Sequence, residues 1–171
     1  VAKILESEVI STDSRQIYKH MNIWTGKITQ EEKEEIPHHM LDLINPDEVY
    51  SVWEFKNNTE EIISDIYSKG KIPILCGGTW LYIDSLIFNF DIPKVIANQA
   101  LRGVLEKEAK EYGNQYVYDK LVDLDPEYAK ELHPNNVQYV IRALEVKIIT
   151  GQSKQDFRTE RKLKYEILFL T

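Results

Sequence analysis

The chain predicts an α/β fold: a parallel sheet flanked by helices, with a helical insertion. Three observations predict it. Short β-prone runs alternate with amphipathic helical stretches in the first half, a strand-free segment rich in Lys, Glu and Tyr follows, and an apolar run returns near the end. Strand and helix in alternation favour parallel pairing, because each crossover lays a helix on the sheet.

The elements follow in order. Val1 to Glu6 reads as the last turns of a helix. Glu8-Val9-Ile10-Ser11 is a short β-prone run closed by the polar cluster Thr12 to Gln16, which therefore sits at the carboxyl end of a strand, the edge where open α/β sheets bind ligands. Ser51 and Glu54 have capping-box spacing, apolar residues from Val52 to Ile66 follow, and Lys69-Gly70 stops the run, so a helix is expected over 51–69. Lys71 to Cys76 is the next strand, and Gly77-Gly78-Thr79 turns into a helix beginning near Trp80. From 97 to 133 the pattern is helical, broken at Gly113-Asn114 and Asp125-Pro126. A further helix runs from Asn136 to Thr150, with Val137, Val140, Ile141, Leu144 and Ile148 on one face and Gly151 as its stop. Tyr165 to Leu170 supplies a last apolar strand. These elements divide the chain into a first core part (1–94), a helical insertion (95–134) and a second core part (135–171).

Composition narrows the function classes. With 43% hydrophobic residues the chain can bury a core. Its 28 acidic residues outweigh 21 basic ones, for a net charge of −7, so a nucleic-acid substrate would require a local basic surface. The single cysteine, Cys76, excludes an internal disulfide framework and fits a reducing cytoplasm. No apolar run has membrane length. The chain opens on Val1 without a methionine and stops at Thr171, and both ends read as cut.

Several groups could carry chemistry. Asp13 at a strand end serves either as a reacting carboxylate or as the closer of an Asx turn. Ser14, Arg15 and Gln16 supply a hydroxyl, a cation and an amide able to meet a base edge. Gly77-Gly78-Thr79 permits close backbone approach to an anion, or is a tight turn capped by Thr79. His38 and His39 lack metal-site partners and are expected to pack or hydrogen-bond. Arg158, Arg161, Lys162 and Lys164 form either a phosphate-facing cluster or a solvated face, and Tyr112, Tyr116, Tyr118 and Tyr128 either pack or stack on bases.

Read in order, Glu8 to Tyr18, Pro37-His38-His39-Met40-Leu41-Asp42, Gly77-Gly78-Thr79-Trp80-Leu81-Tyr82 and Arg142-Ala143-Leu144-Glu145-Val146 resemble the signature of the tRNA dimethylallyltransferases, and Asp156-Phe157-Arg158 continues it. The resemblance implies a P-loop-kinase-like core and an insertion that grips the anticodon stem-loop of tRNA. It implies attack by the exocyclic N6 of the adenosine 3′ of the anticodon on carbon 1 of dimethylallyl diphosphate, with pyrophosphate leaving with Mg2+ assistance. By position, Asp13 is the implied base and Ser14, Arg15 and Gln16 belong to an RNA-contacting segment. Thr79 lies where adenine and donor meet, Arg102 is a further RNA contact, and Gln138, Tyr139, Val140, Ile141 and Arg142 form a second RNA-contacting segment. A cytoplasmic monomer is expected.

Departures accompany the matches. The family's Gly-rich loop, which would hold the diphosphate through backbone amides and a lysine, does not occur here, and the chain by itself is expected to be inactive without it. Trp24 and Trp80 stand where the family usually has glycine, placing two indoles near the implied site. Competing readings are an adenylate isopentenyltransferase acting on free nucleotides, a P-loop kinase of a small metabolite, and a noncatalytic RNA-binding remnant.

Overall fold

The computed structural model describes residues 1–88, 97–157 and 162–170, which fall into two compact units. The first carries the sheet and comprises 1–90 with 161–171; the second, 91–160, is helical.

In the first unit β1 (Val9–Ser11) is the central strand, flanked by β2 (His38–His39) and β3 (Ile74–Cys76). Both pairings are parallel: Val9 faces His38 on one side and Ile74 on the other, and Ser11 faces Cys76. All three carboxyl ends therefore lie along one edge. The helix α1 (Val52–Ser68) begins with the expected capping box, in which the Ser51 hydroxyl accepts from the Glu54 amide and the Glu54 carboxylate accepts from the Ser51 amide. Phe55, Thr59, Ile63 and Ile66 recur at helical spacing and bury one face. The helix α2 (Trp80–Ile87) follows β3, and its Tyr82 ring stacks on Phe55 with centroids 3.9 Å apart. Ile10, Met40, Phe55, Ile66 and Leu86 complete this core.

Three expectations change in this unit. His38–His39 forms a strand that apolar patterning did not announce, because its place is set by backbone pairing with β1. Val1 to Glu6 makes only a single turn, closed by the Leu5 amide on the Val1 carbonyl at 3.0 Å. The strand expected over Tyr165 to Leu170 does not form: among the described residues no ladder includes it, and Leu168, Phe169 and Leu170 remain exposed. A strand-prone run without a neighbouring edge gains nothing from its propensity. The segment is instead anchored before it starts, by the Lys164 amide on the Ile87 carbonyl at 2.8 Å and the Lys164 ammonium on Glu60 at 2.8 Å.

The helical unit contains α3 (Gln99–Tyr112), α4 (Asn114–Leu124), the one-turn α5 (Pro126–Ala129), α6 (Val137–Thr150) and a 3-10 turn at Lys154–Phe157. The breaks fall at Gly113 and at Asp125-Pro126, where the Asp125 side chain accepts from the Tyr128 amide. Gly151 ends α6 at φ 73°, a left-handed conformation that glycine adopts without a Cβ clash. Leu105, Val117, Leu121, Val140, Ile141 and Leu144 form the shared core. The sequence expectation grouped the helix from Asn136 with the sheet, whereas its buried face packs on α3 and α4. Ile148, expected on that face, is half exposed, and Ala143 and Val146 are buried in addition.

Candidate active site

The parallel register brings two polar turns together at the carboxyl edge of the sheet. After β1 the chain runs Thr12-Asp13-Ser14, and after β3 it runs Gly77-Gly78-Thr79. Backbone bonds lock them side by side: the Thr12 amide donates to the Cys76 carbonyl at 2.8 Å and the Thr79 amide to the Thr12 carbonyl at 3.1 Å. Gly77 has φ 151°, and a Cβ built there would lie 2.7 Å from the Thr12 carbonyl carbon and 2.9 Å from the Asp13 nitrogen. Only glycine lets the two turns approach this closely.

Within this frame Asp13 closes an Asx turn, its Oδ1 accepting from the Arg15 amide at 2.8 Å. One oxygen of Asp13 therefore shapes the turn, and the other, Oδ2, has no protein donor among the described residues. Thr79 stands at the start of α2 but does not cap it. Its Oγ1 accepts from the Ser14 amide at 2.9 Å and donates to the Ser14 hydroxyl at 3.2 Å. The capping role expected of Thr79 is thus replaced by a bond across the two turns, from the Ser14 amide to its Oγ1.

Gln16 and Arg15 differ sharply. The Gln16 amide is spent on the protein, with Oε1 accepting from the Ser11 hydroxyl at 2.9 Å and Nε2 donating to the carbonyls of Thr25 at 3.1 Å and Gly26 at 3.3 Å. Expected to read a base edge, it instead ties the following loop to β1. Arg15 is exposed. The loop is fastened a second time by Lys27, a nearly buried cation whose ammonium donates to the Asp42 carboxylate at 2.7 Å and the Tyr18 carbonyl at 2.6 Å. Trp24 and Trp80 fill no pocket; they are 94% and 67% exposed. Burial pushes the Tyr82 phenol far above its ordinary range, so it stays protonated near neutrality and offers no base.

The remaining residues implied by the resemblance lie in the helical unit. Val140 and Ile141 are core residues of α6, so their side chains are taken up by packing and do not reach a ligand, while Gln138 and Tyr139 are exposed. Arg102 and Arg142 converge on Glu145, which is fully buried. Burial pushes the Glu145 carboxyl upward, but bonds from Arg102, Arg142 and the Asn98 amide outweigh it and hold the group below the usual carboxylate range. Tyr128 is buried and the Tyr118 hydroxyl donates to the Ala129 carbonyl at 2.8 Å, so these two pack, whereas Tyr112 and Tyr116 are exposed in a tilted pair. His38 and His39 hydrogen-bond to the Ile36 carbonyl and the Glu8 carboxylate, each at 2.8 Å. Arg158 and Arg161 lie outside the described residues.

Comparison with known proteins shows the family. The sequence profile described as IPP transferase matches residues 16–171. The chain belongs to the IPP transferase family. It is 48% identical to the tRNA dimethylallyltransferase of Alkaliphilus oremlandii over 172 aligned residues, covering 99% of this chain and 55% of that relative. The crystal structure of the full-length tRNA isopentenylpyrophosphate transferase from Bacillus halodurans is 43% identical and matches 90% of this chain and 50% of its own, with a TM-score of 0.53. A eukaryotic dimethylallyltransferase acting on tRNA is 30% identical over 96% of this chain and 41% of its own, with a TM-score of 0.74. The chain spans about half the length of the curated relatives it matches. No helix among the described residues is long and apolar enough to cross a membrane.

In this IPP transferase chain three supporting residues had escaped sequence reading: Ser11, Lys27 and Glu145. Glu145 was visible only as part of the Arg142 to Val146 motif. Ser11 and Lys27 carry no local signal, since their roles arise from partners that the fold supplies.

Proposed function

We propose that the protein containing this chain transfers a dimethylallyl group from dimethylallyl diphosphate to N6 of the adenosine 3′ of the anticodon, giving N6-dimethylallyladenosine and pyrophosphate. The observation that carries this reading is the near-half identity, along nearly the whole chain, to enzymes named tRNA dimethylallyltransferase. The site is chemically suited to it. The N6 lone pair forms a bond to carbon 1 of the donor, the bond from that carbon to the diphosphate oxygen breaks, and the diphosphate leaves with the electron pair. The surplus N6 proton passes to the open Oδ2 of Asp13. Thr79 acts through Ser14, holding the turn that aims the Asp13 carboxylate. The anticodon stem-loop is the proposed RNA partner, met in part by the exposed arginine of the Asp13 to Gln16 turn.

Magnesium would balance the charge of the leaving diphosphate. The described residues bring together no set of three His, Cys, Asp or Glu side chains that could hold it, so they do not fit a protein-caged ion.

The test is to incubate the complete gene product with an anticodon stem-loop and labelled dimethylallyl diphosphate, digest the RNA and identify the nucleosides by mass spectrometry. N6-dimethylallyladenosine is the expected product. Prenylation of free adenine nucleotides alone would establish the adenylate isopentenyltransferase instead. ATP-dependent phosphorylation of a small metabolite would establish the kinase, and RNA binding without any transfer the remnant.

A further inference from the structure

The helical unit holds a charged group that the proposed chemistry does not use. Glu145 on α6 is fully buried, and it accepts four bonds that span the unit: the Asn98 amide at 2.7 Å, Arg102 Nε at 2.9 Å, Arg102 Nη2 at 2.7 Å, and Arg142 Nη1. Arg102 thus presents its whole Nε–Nη2 edge to the carboxylate, in the forked geometry that a lysine cannot copy. That pairing fixes the plane of the guanidinium. Of its five N–H donors two are spent, and the Nη1 side remains for another acceptor.

A buried carboxylate between two arginines is a poor way to gain stability, because desolvation offsets most of the attraction and apolar packing does as well. It does hold two cations in fixed orientation. Both arginine side chains keep about a third of their surface exposed, at 31% and 27%. The exposed Gln138 and Tyr139 lie one turn before Arg142 on α6, within reach of the same helix face. Oriented guanidiniums beside an exposed amide and an exposed phenol are the side chains that meet phosphates and unpaired bases in RNA.

We propose that Glu145 is a positioning residue that orients Arg102 and Arg142 toward an RNA phosphate. The inference rests on the reading of the substrate as an RNA stem-loop. Glu145 touches no substrate; it acts through the two arginines.

Glu145→Gln separates the possibilities by sign. If charge alone governed binding, removing an anion beside a phosphate site would tighten RNA binding. If Glu145 only held the helices together, affinity measured well below the melting temperature would not move. Positioning predicts weaker binding by about tenfold, the scale of one charge-assisted contact, and a salt dependence shallower by about one counterion. Arg102→Lys keeps the ion pair and the charge but loses the fork, so it supplies a variant that folds even where Glu145→Gln does not. It too should bind RNA several-fold more weakly, with a melting temperature near that of the wild type. Filter-binding titrations of the complete protein with a labelled anticodon stem-loop, at several salt concentrations, read all of these without any prenyl transfer. Unchanged or tighter binding by a folded Glu145→Gln protein, or unchanged binding by Arg102→Lys, overturns the proposal. A wild-type protein that binds no stem-loop RNA overturns the substrate reading and this inference with it, whereas RNA binding that is indifferent to both substitutions overturns the inference alone.

Discussion

Gly77→Ala should damage both the fold and the site, and the magnitude can be worked from the close approach of the two turns. A methyl at this position would lie 2.7 Å from the Thr12 carbonyl carbon and from Thr12 Oγ1, and 2.9 Å from the Asp13 nitrogen. Two of these are backbone atoms, so no flexible side chain can swing away. Relaxing to ordinary contact near 3.4 Å means moving the Thr12-Asp13 backbone by about 0.7 Å. Overpacking and the positive φ of 151° together should cost about 2–4 kcal/mol. With a urea m-value of about 2 kcal/mol/M, the unfolding midpoint should fall by about 1–2 M at unchanged slope. The same shift moves Asp13 and strains the Thr79 amide bond to the Thr12 carbonyl. Displacement on the scale of ~1 Å at a reacting group can cost about 10²-fold in turnover. Gly78→Ala is the internal control: nothing lies within 4 Å of its added methyl, and its φ is not in the left-handed range. That variant should stay within about 0.5 kcal/mol of the parent. Equal unfolding midpoints for the two variants would refute the packing argument, and a destabilised Gly77→Ala protein with full kcat would refute the link to Asp13.

Asp13→Asn keeps an acceptor for the Arg15 amide but removes the proposed base, so kcat should fall by about 10²- to 10⁴-fold with stem-loop affinity nearly unchanged; full turnover at saturating substrates rejects the role. Thr79→Val leaves the Ser14 amide without its acceptor and should lower both stability, by about 1 kcal/mol, and kcat, while Thr79→Ser should restore both in melting and prenyl-transfer assays. Glu8 is held below its ordinary pKa chiefly by the His39 bond, which burial opposes, while Lys69 adds to the lowering. A depressed folded pKa stabilises above the unfolded value near 4.5 and is lost as pH falls below it through the folded pKa, so Glu8→Gln should flatten the acid limb of a stability-versus-pH curve without changing its neutral plateau shape. Parallel acid limbs for the two proteins would count against that contribution.

Much of the secondary structure was legible because its signals are local. The Ser51 and Glu54 capping box lies within one turn, and Gly113, Asp125-Pro126 and Gly151 interrupt helices through their own backbone preferences. The ordered motifs likewise pointed to Asp13 and Thr79. What they did not convey was engagement. Gln16 has the chemistry of a base reader, yet its amide is consumed by Ser11, Thr25 and Gly26. Val140 and Ile141 stand in a motif segment but face the core, because that segment is a helix and only part of its circumference is exposed.

By itself, then, the sequence determined the long helices, two of the three strands and the residues that chemistry could draw on, since each depends on neighbours a few positions away. The tertiary structure decided which of those residues meet. Ser14 and Thr79 are 65 positions apart and are joined only because β1 and β3 pair in parallel and in one register. His38–His39 became a strand because an edge of β1 was there to pair with, while Tyr165 to Leu170 met no such edge among the described residues. Arg102 and Arg142 became a pair through one buried carboxylate, 43 and 3 positions away. Such contacts carry no local period, because they arise from the packing of whole elements and from the need of each buried charge for a partner.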